Sequence, residues 1–208
     1  MTFETWFAFV LASTAVVLIP GPNVVITVTA AISHGKRSGF ATVPGVVAGA
    51  FVAMTLSLAG AGAVLATSAT LFASLKLAGA LYLFWMAYQL WTGPVGDVGM
   101  EGNSVSGTLN RLFIQTFLIS ALNPKGPIFY IAFVPQFVTV HASAFEQFAI
   151  LILTFLCVAT LNSIAWLYGA HGLRRFLSKK AALRRLNRFG AAFLFLAGVF
   201  TLRVSRLP

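Results

Sequence analysis

Residues 5 to 35 read TWFAFVLASTAVVLIPGPNVVITVTAAISHG, 31 positions without an Asp, Glu, Lys or Arg, interrupted by Pro20-Gly21-Pro22-Asn23. A bilayer core is crossed by about 20 apolar residues of helix, so this run is long enough to span and carries its helix breakers near its middle. Proline removes a backbone donor and clashes with the preceding turn. In lipid that is tolerated where the freed groups line a cavity or find another partner. The same pattern returns later in the chain. Asn123-Pro124-Lys125-Gly126-Pro127 lies inside the apolar stretch from Leu112 to Val138, and Pro20 and Pro124 are 104 residues apart, half of the 208-residue chain.

Composition agrees with a lipid environment. The apolar set makes up 59% of the residues and charged side chains 9%, where a soluble domain carries about 25%. The uncharged runs place six spans, at about 5–32, 39–65, 71–91, 112–138, 147–172 and 189–207, with the turn between the second and third at Ala66 to Thr70. The last run, Phe189 to Leu202, has 14 residues and spans by letting Arg203 and Arg206 snorkel. A signal peptide does not suit the first run, which lacks a basic n-region and an A-x-A site, so it is expected in the mature protein.

The fold expected is therefore an all-α integral membrane protein, six transmembrane helices arranged as two three-helix repeats, each with a broken first helix. The repeats are 1–92 and 112–208, joined by a hydrophilic linker at 93–111. Three being odd, the second repeat enters the membrane upside down relative to the first. Ten of the 14 basic residues fall in the linker and the two loops on its side, seven of them at Arg174, Arg175, Lys179, Lys180, Arg184, Arg185 and Arg188 in the expected loop 173–188. The positive-inside rule makes that side cytoplasmic and places both termini in the periplasm. The seven-residue cluster then reads as topology and anionic-lipid contact, and not as a nucleic-acid site, because it lacks interleaved aromatics.

Paired Pro/Gly-interrupted helices at matching positions of two halves are the best sequence pointer to a carrier's binding site. The candidate substrate-binding residues are accordingly Pro20, Gly21, Pro22 and Asn23 in the first break and Asn123, Pro124 and Lys125 in the second. Lys125 stands out, since an ammonium near mid-bilayer costs about 3 kcal/mol on insertion scales and a carboxylate-bearing cargo would supply its partner. Tyr82 in the third span is a further candidate substrate-binding residue, on a face shared with Gly79, Met86 and Gln89 that serves equally to line a cavity or to bond a neighbouring helix. Gly45 and Gly49 form a G-x-x-x-G packing pair, and Asn162 with Trp166 reads as packing glue.

Several function classes are excluded. A single cysteine, Cys157, rules out a disulfide or thiol pair within the chain, and the three histidines are too scattered for a metal pair. No cofactor, metal or nucleotide motif appears, and no catalytic constellation, so the chain does not read as an enzyme. The four acidic residues, Glu4, Asp97, Glu101 and Glu146, all lie at span ends or in loops. A buried counter-charge for a cationic cargo is thus missing, which favours a neutral, zwitterionic or anionic one.

Taken in order, Pro20-Gly21-Pro22-Asn23, Gly35-Lys36-Arg37-Ser38-Gly39, Gly45 with Gly49, Lys76-Leu77-Ala78-Gly79-Ala80-Leu81-Tyr82-Leu83, Asn123-Pro124-Lys125 and Pro135-Gln136-Phe137 resemble the LysE/RhtB translocators, bacterial inner-membrane exporters of amino acids. The resemblance covers nearly the whole chain. It implies efflux of neutral or basic amino acids, homoserine, threonine or homoserine lactone, proton-driven and commonly as a homodimer, and the missing intramembrane carboxylate narrows this to a small neutral amino acid or derivative of the threonine, homoserine or homoserine lactone class. Thr116, Ser120, Ala87 and Gly126-Pro127 depart from the family pattern and bear on cargo identity more than on fold. The competing reading is a passive channel or a non-transporting membrane assembly protein.

Overall fold

A computed structural model of the chain describes residues 1–67, 69–93, 108–123, 125–138, 143–177 and 180–203. Among them every regular element is helical. The first expected span is two helices, α1 (Phe3–Leu18) and α2 (Pro22–His34), bent by 59° at the break between them. Pro20 offers no N–H to the carbonyl one turn back, Ile19 before it is forced into extended backbone, and Pro22 takes the first position of α2, where a missing donor costs nothing. The second helix stops at Gly35, whose φ of 71° suits glycine alone, and a 3-10 turn at Lys36–Ser38 leads into α3 (Gly39–Thr67). Then follow α4 (Ala69–Thr92), α5 (Leu109–Ala121), α6 (Lys125–Phe133) with a 3-10 turn at Val134–Phe137, α7 (Ala144–Leu177) and α8 (Lys180–Arg203).

Two stretches, Lys36–Gly60 and Phe145–Ala170, are each long and apolar enough to cross a bilayer, and the bent α1–α2 pair makes a third among the described residues. α3 is described as far as Thr67 and α4 from Ala69, and the expected turn at Ala66 to Thr70 includes Ser68, which lies outside the described residues. The expected loop 173–188 is different: α7 runs on to Leu177 and α8 starts at Lys180, so most of that basic segment is helix. Loss of apolar character marks where a helix leaves lipid, not where it ends, and Ala, Leu, Arg and Lys are all strong helix formers. Lys179 and most of the linker, 94–107, lie outside the described residues.

Helix directions follow from the contacts. The two most extensive helix pairings are α3 with α5 and α4 with α8. Gly45 faces Thr116 and Gly49 faces Ser120, so α3 and α5 run the same way. A Cβ on Gly49 would meet the Phe117 carbonyl oxygen at 2.5 Å and the Ala121 nitrogen at 2.9 Å, an approach only glycine permits. Likewise α7 runs with α1, since Trp6 Nε1 donates to Thr154 Oγ1 at 3.0 Å and Asn162 Nδ2 to the Val17 carbonyl at 3.1 Å. Arg188 lies over the Trp91 ring and Phe84 beside Phe195, so α4 and α8 are antiparallel. The main core gathers Phe9, Met54, Leu83, Phe129, Tyr130 and Leu151, contributed by five helices. Outward, α4 exposes Leu77, Leu81, Trp85 and Tyr88, an apolar face at helical spacing that suits acyl chains.

Candidate functional site

The two helix breaks meet in one place. A cavity of about 80 Å³ is lined by Gly21 and Asn23 from the first break and by Ser120, Asn123 and Gly126 from around the second. At about 10–15 Å³ per water, that is room for a handful of waters or one small polar molecule. Its apolar wall comes from Val16, Val24, Val46, Ala50 and Phe155, with the Tyr130 ring at the α6 side. No charged side chain lines it among the described residues.

Each break that borders this space pairs part of its own backbone. At the start of α2 the Val24 and Val25 amides both turn back to the Gly21 carbonyl, at 2.9 and 3.0 Å, and the Thr27 hydroxyl donates to the Asn23 carbonyl at 2.8 Å. At the second break the Gly126 amide reaches the Asn123 carbonyl at 3.3 Å. Helix N-termini carry partial positive charge and C-termini partial negative charge. One cavity faced by the end of α1 and by the starts of α2 and α6 therefore offers poles of both signs, without an ion.

Sequence and structure overlap here in part. Gly21, Asn23 and Asn123 line the cavity. Pro20 is half-buried and Pro22 exposed, and neither lines it; they shape the break and leave contact to their neighbours. Lys125 opens α6 immediately before the cavity residue Gly126, with its side chain outside the described set, and Pro124 lies outside the described residues altogether. Tyr82 is not among the lining residues. Its ring lies 5.3 Å from that of Trp85, on the stretch of α4 that carries the outward apolar face.

Ser120, Asn162, Ser163 and Trp166 belong to the lining and were not singled out as site residues from the sequence. The signal for the pair Asn162 and Trp166 was their one-turn spacing. Trp166 Nε1 donates to Asn162 Oδ1 at 3.1 Å, which fixes the amide so that Nδ2 points to the Val17 carbonyl. In an unbroken helix that carbonyl would accept from Gly21, and the proline-induced bend removes the option. Asn162→Leu should therefore lower the stability of the detergent-solubilised protein by about 1–3 kcal/mol, the cost of a buried carbonyl and a buried indole N–H left unpaired. Thermal unfolding of the purified variant reads this, and a melting curve superposable on wild type would show that the bond contributes nothing.

The family model for LysE type translocators matches residues 14–205. The chain belongs to the LysE type translocator family. It is 30% identical over 200 residues to a homoserine/homoserine lactone efflux protein of Salmonella typhimurium, covering 96% of this chain and 97% of that one. A leucine efflux protein of Enterobacter sp. (strain 638) is 29% identical over 206 residues, 97% of this chain and 95% of that one. An uncharacterized membrane protein of Vibrio cholerae is 27% identical over 197 residues, 93% and 95% of the two chains. No solved structure matches the chain. This LysE-type chain is thus a membrane transport protein related to amino-acid efflux proteins along nearly its whole length.

Proposed function

We propose that the protein exports a small neutral amino acid or a derivative of one, of the threonine, homoserine or homoserine lactone class, across the bacterial inner membrane by alternating access. The observation that carries this is a cavity shared by the two interrupted helices, with both signs of helix pole and no charged side chain in its wall among the described residues. A zwitterion needs those two poles; a cation such as lysine would need a carboxylate that the spans lack. The carboxylate of a zwitterionic cargo such as homoserine or threonine is held at the α6 start with Lys125, and its ammonium at the end of α1 and at Asn23.

The alternating-access part rests on an inverted repeat of six spans. Its support is that α3 runs beside α5 in the same direction as α7 runs beside α1, the correspondence expected if the first half maps onto the second. Orientation follows the basic residues: Lys36 lies over Tyr168 and Arg188 over Trp91, aromatic and cation together at the end assigned to the cytoplasm. Arg184, Arg185 and Arg188 are exposed there for anionic lipid.

Everted membrane vesicles energised with a proton gradient should accumulate labelled homoserine above the outside concentration and lose it on adding an uncoupler. Uptake that only equilibrates and ignores the uncoupler would make the protein a passive channel, and no uptake of homoserine, threonine or leucine would remove the reading.

A further inference from the structure

The side-chain amide of Asn23 has two ends alike in shape and opposite in chemistry, and its neighbours decide which end is paired and which is left without a partner. Nδ2 lies 3.3 Å from Ser120 Oγ, and Ser120 Oγ lies 2.8 Å from the Val46 carbonyl oxygen. A serine hydroxyl has one proton and a carbonyl can only accept. The Ser120 proton is therefore committed to Val46, and toward Asn23 the hydroxyl can only accept. Turning the amide over would set Oδ1 against that oxygen with no proton between them. The amide is locked, and Oδ1 is left buried without a hydrogen-bond partner among the described residues.

A buried acceptor without a donor is costly, more so in a low-dielectric site. Asn23 is one of the cavity's lining residues, and a cargo donor seated there that reaches Oδ1 relieves that cost. Of the two ends of an amino acid only the ammonium donates. We propose that Ser120 is a specificity-determining residue: by fixing Asn23 with Oδ1 toward the cargo, it makes the site select molecules with a free amino group and reject N-acylated ones. Acylation removes the positive charge and all but one N–H and adds bulk to a cavity of about 80 Å³. The bond crosses between the chain's two halves, joining α2 to α5, and α5 in turn to α3. This inference rests on the export reading for the cargo's chemistry but is tested by binding alone.

Isothermal titration of the purified full chain in detergent with homoserine lactone and with N-acetylhomoserine lactone tests it. Wild type should bind the free amine at least about tenfold more tightly, the worth of one hydrogen bond to a charged group. Ser120→Ala frees the amide to turn and should bring the two affinities close together, whereas Asn23→Asp, an acceptor in either orientation, should keep the preference for the amine. Equal wild-type affinities, no wild-type binding of the free amine, or an unaltered preference in a monodisperse Ser120→Ala would each overturn the assignment. Selective binding without accumulation in everted vesicles would leave the assignment standing and remove export; accumulation of both ligands alike would do the reverse.

Discussion

Everted vesicles carrying Lys125→Ala should accumulate labelled homoserine at roughly a hundredth of the wild-type initial rate at low substrate, with normal amounts of protein in the membrane. The size follows from losing a charge-assisted contact to the cargo carboxylate, about 2–3 kcal/mol where little water competes. Lys125 opens α6 directly before Gly126, which lines the cavity. Lys125→Arg keeps the charge but changes its shape and should retain a measurable part of the rate. Uptake unchanged in Lys125→Ala would take the lysine out of the mechanism and leave the carboxylate to the α6 helix pole alone.

The second large effect is structural. Gly49→Val should prevent accumulation of folded protein, because a side chain there would have to enter the backbone of α5 at Phe117 and Ala121. Overpacking against flexible side chains costs about 1–3 kcal/mol, and here the obstacle is main chain flanking the cavity residue Ser120. Gly60→Val on the same helix is the control, since a Cβ there meets nothing within 4 Å. Size-exclusion profiles of the two variants in detergent should separate them plainly: a void-volume aggregate for Gly49→Val and a wild-type peak for Gly60→Val. A monodisperse Gly49→Val would mean that α3 and α5 do not approach closely in the membrane.

What was legible in the sequence was what lipid imposes on a chain. Long uncharged runs marked apolar helices, prolines marked the interruptions, and G-x-x-x-G marked the close approach of α3 to a neighbour. The identity of that neighbour was not legible: nothing in Gly45 and Gly49 says that Thr116 and Ser120 are opposite. The same limit explains the site. Asn23 and Asn123, which line the cavity, stood out because they sit beside prolines, whereas Ser120 and Asn162 are placed there by pairing between distant segments, and Trp166 by its bond to Asn162. Tyr82 was drawn in by its position on a polar stripe, a pattern that lipid-facing and cavity-facing helices share. The helical extent of the basic segment was missed because charge density reports on the membrane boundary and says little about where backbone hydrogen bonding stops.

The bond from Asn23 to Ser120 ties the two halves together where both of their first helices are interrupted. When two rigid bodies rock against one another, points near the fulcrum hardly separate while the rims trade partners. If the halves rock as proposed with this tie at their fulcrum, it outlasts the swing, and the amide would keep its attitude whether the cavity opened to one side of the membrane or the other. A carrier built this way tests its passenger by the same standard at both doors, and reversing the driving force should reverse the traffic without relaxing the choice.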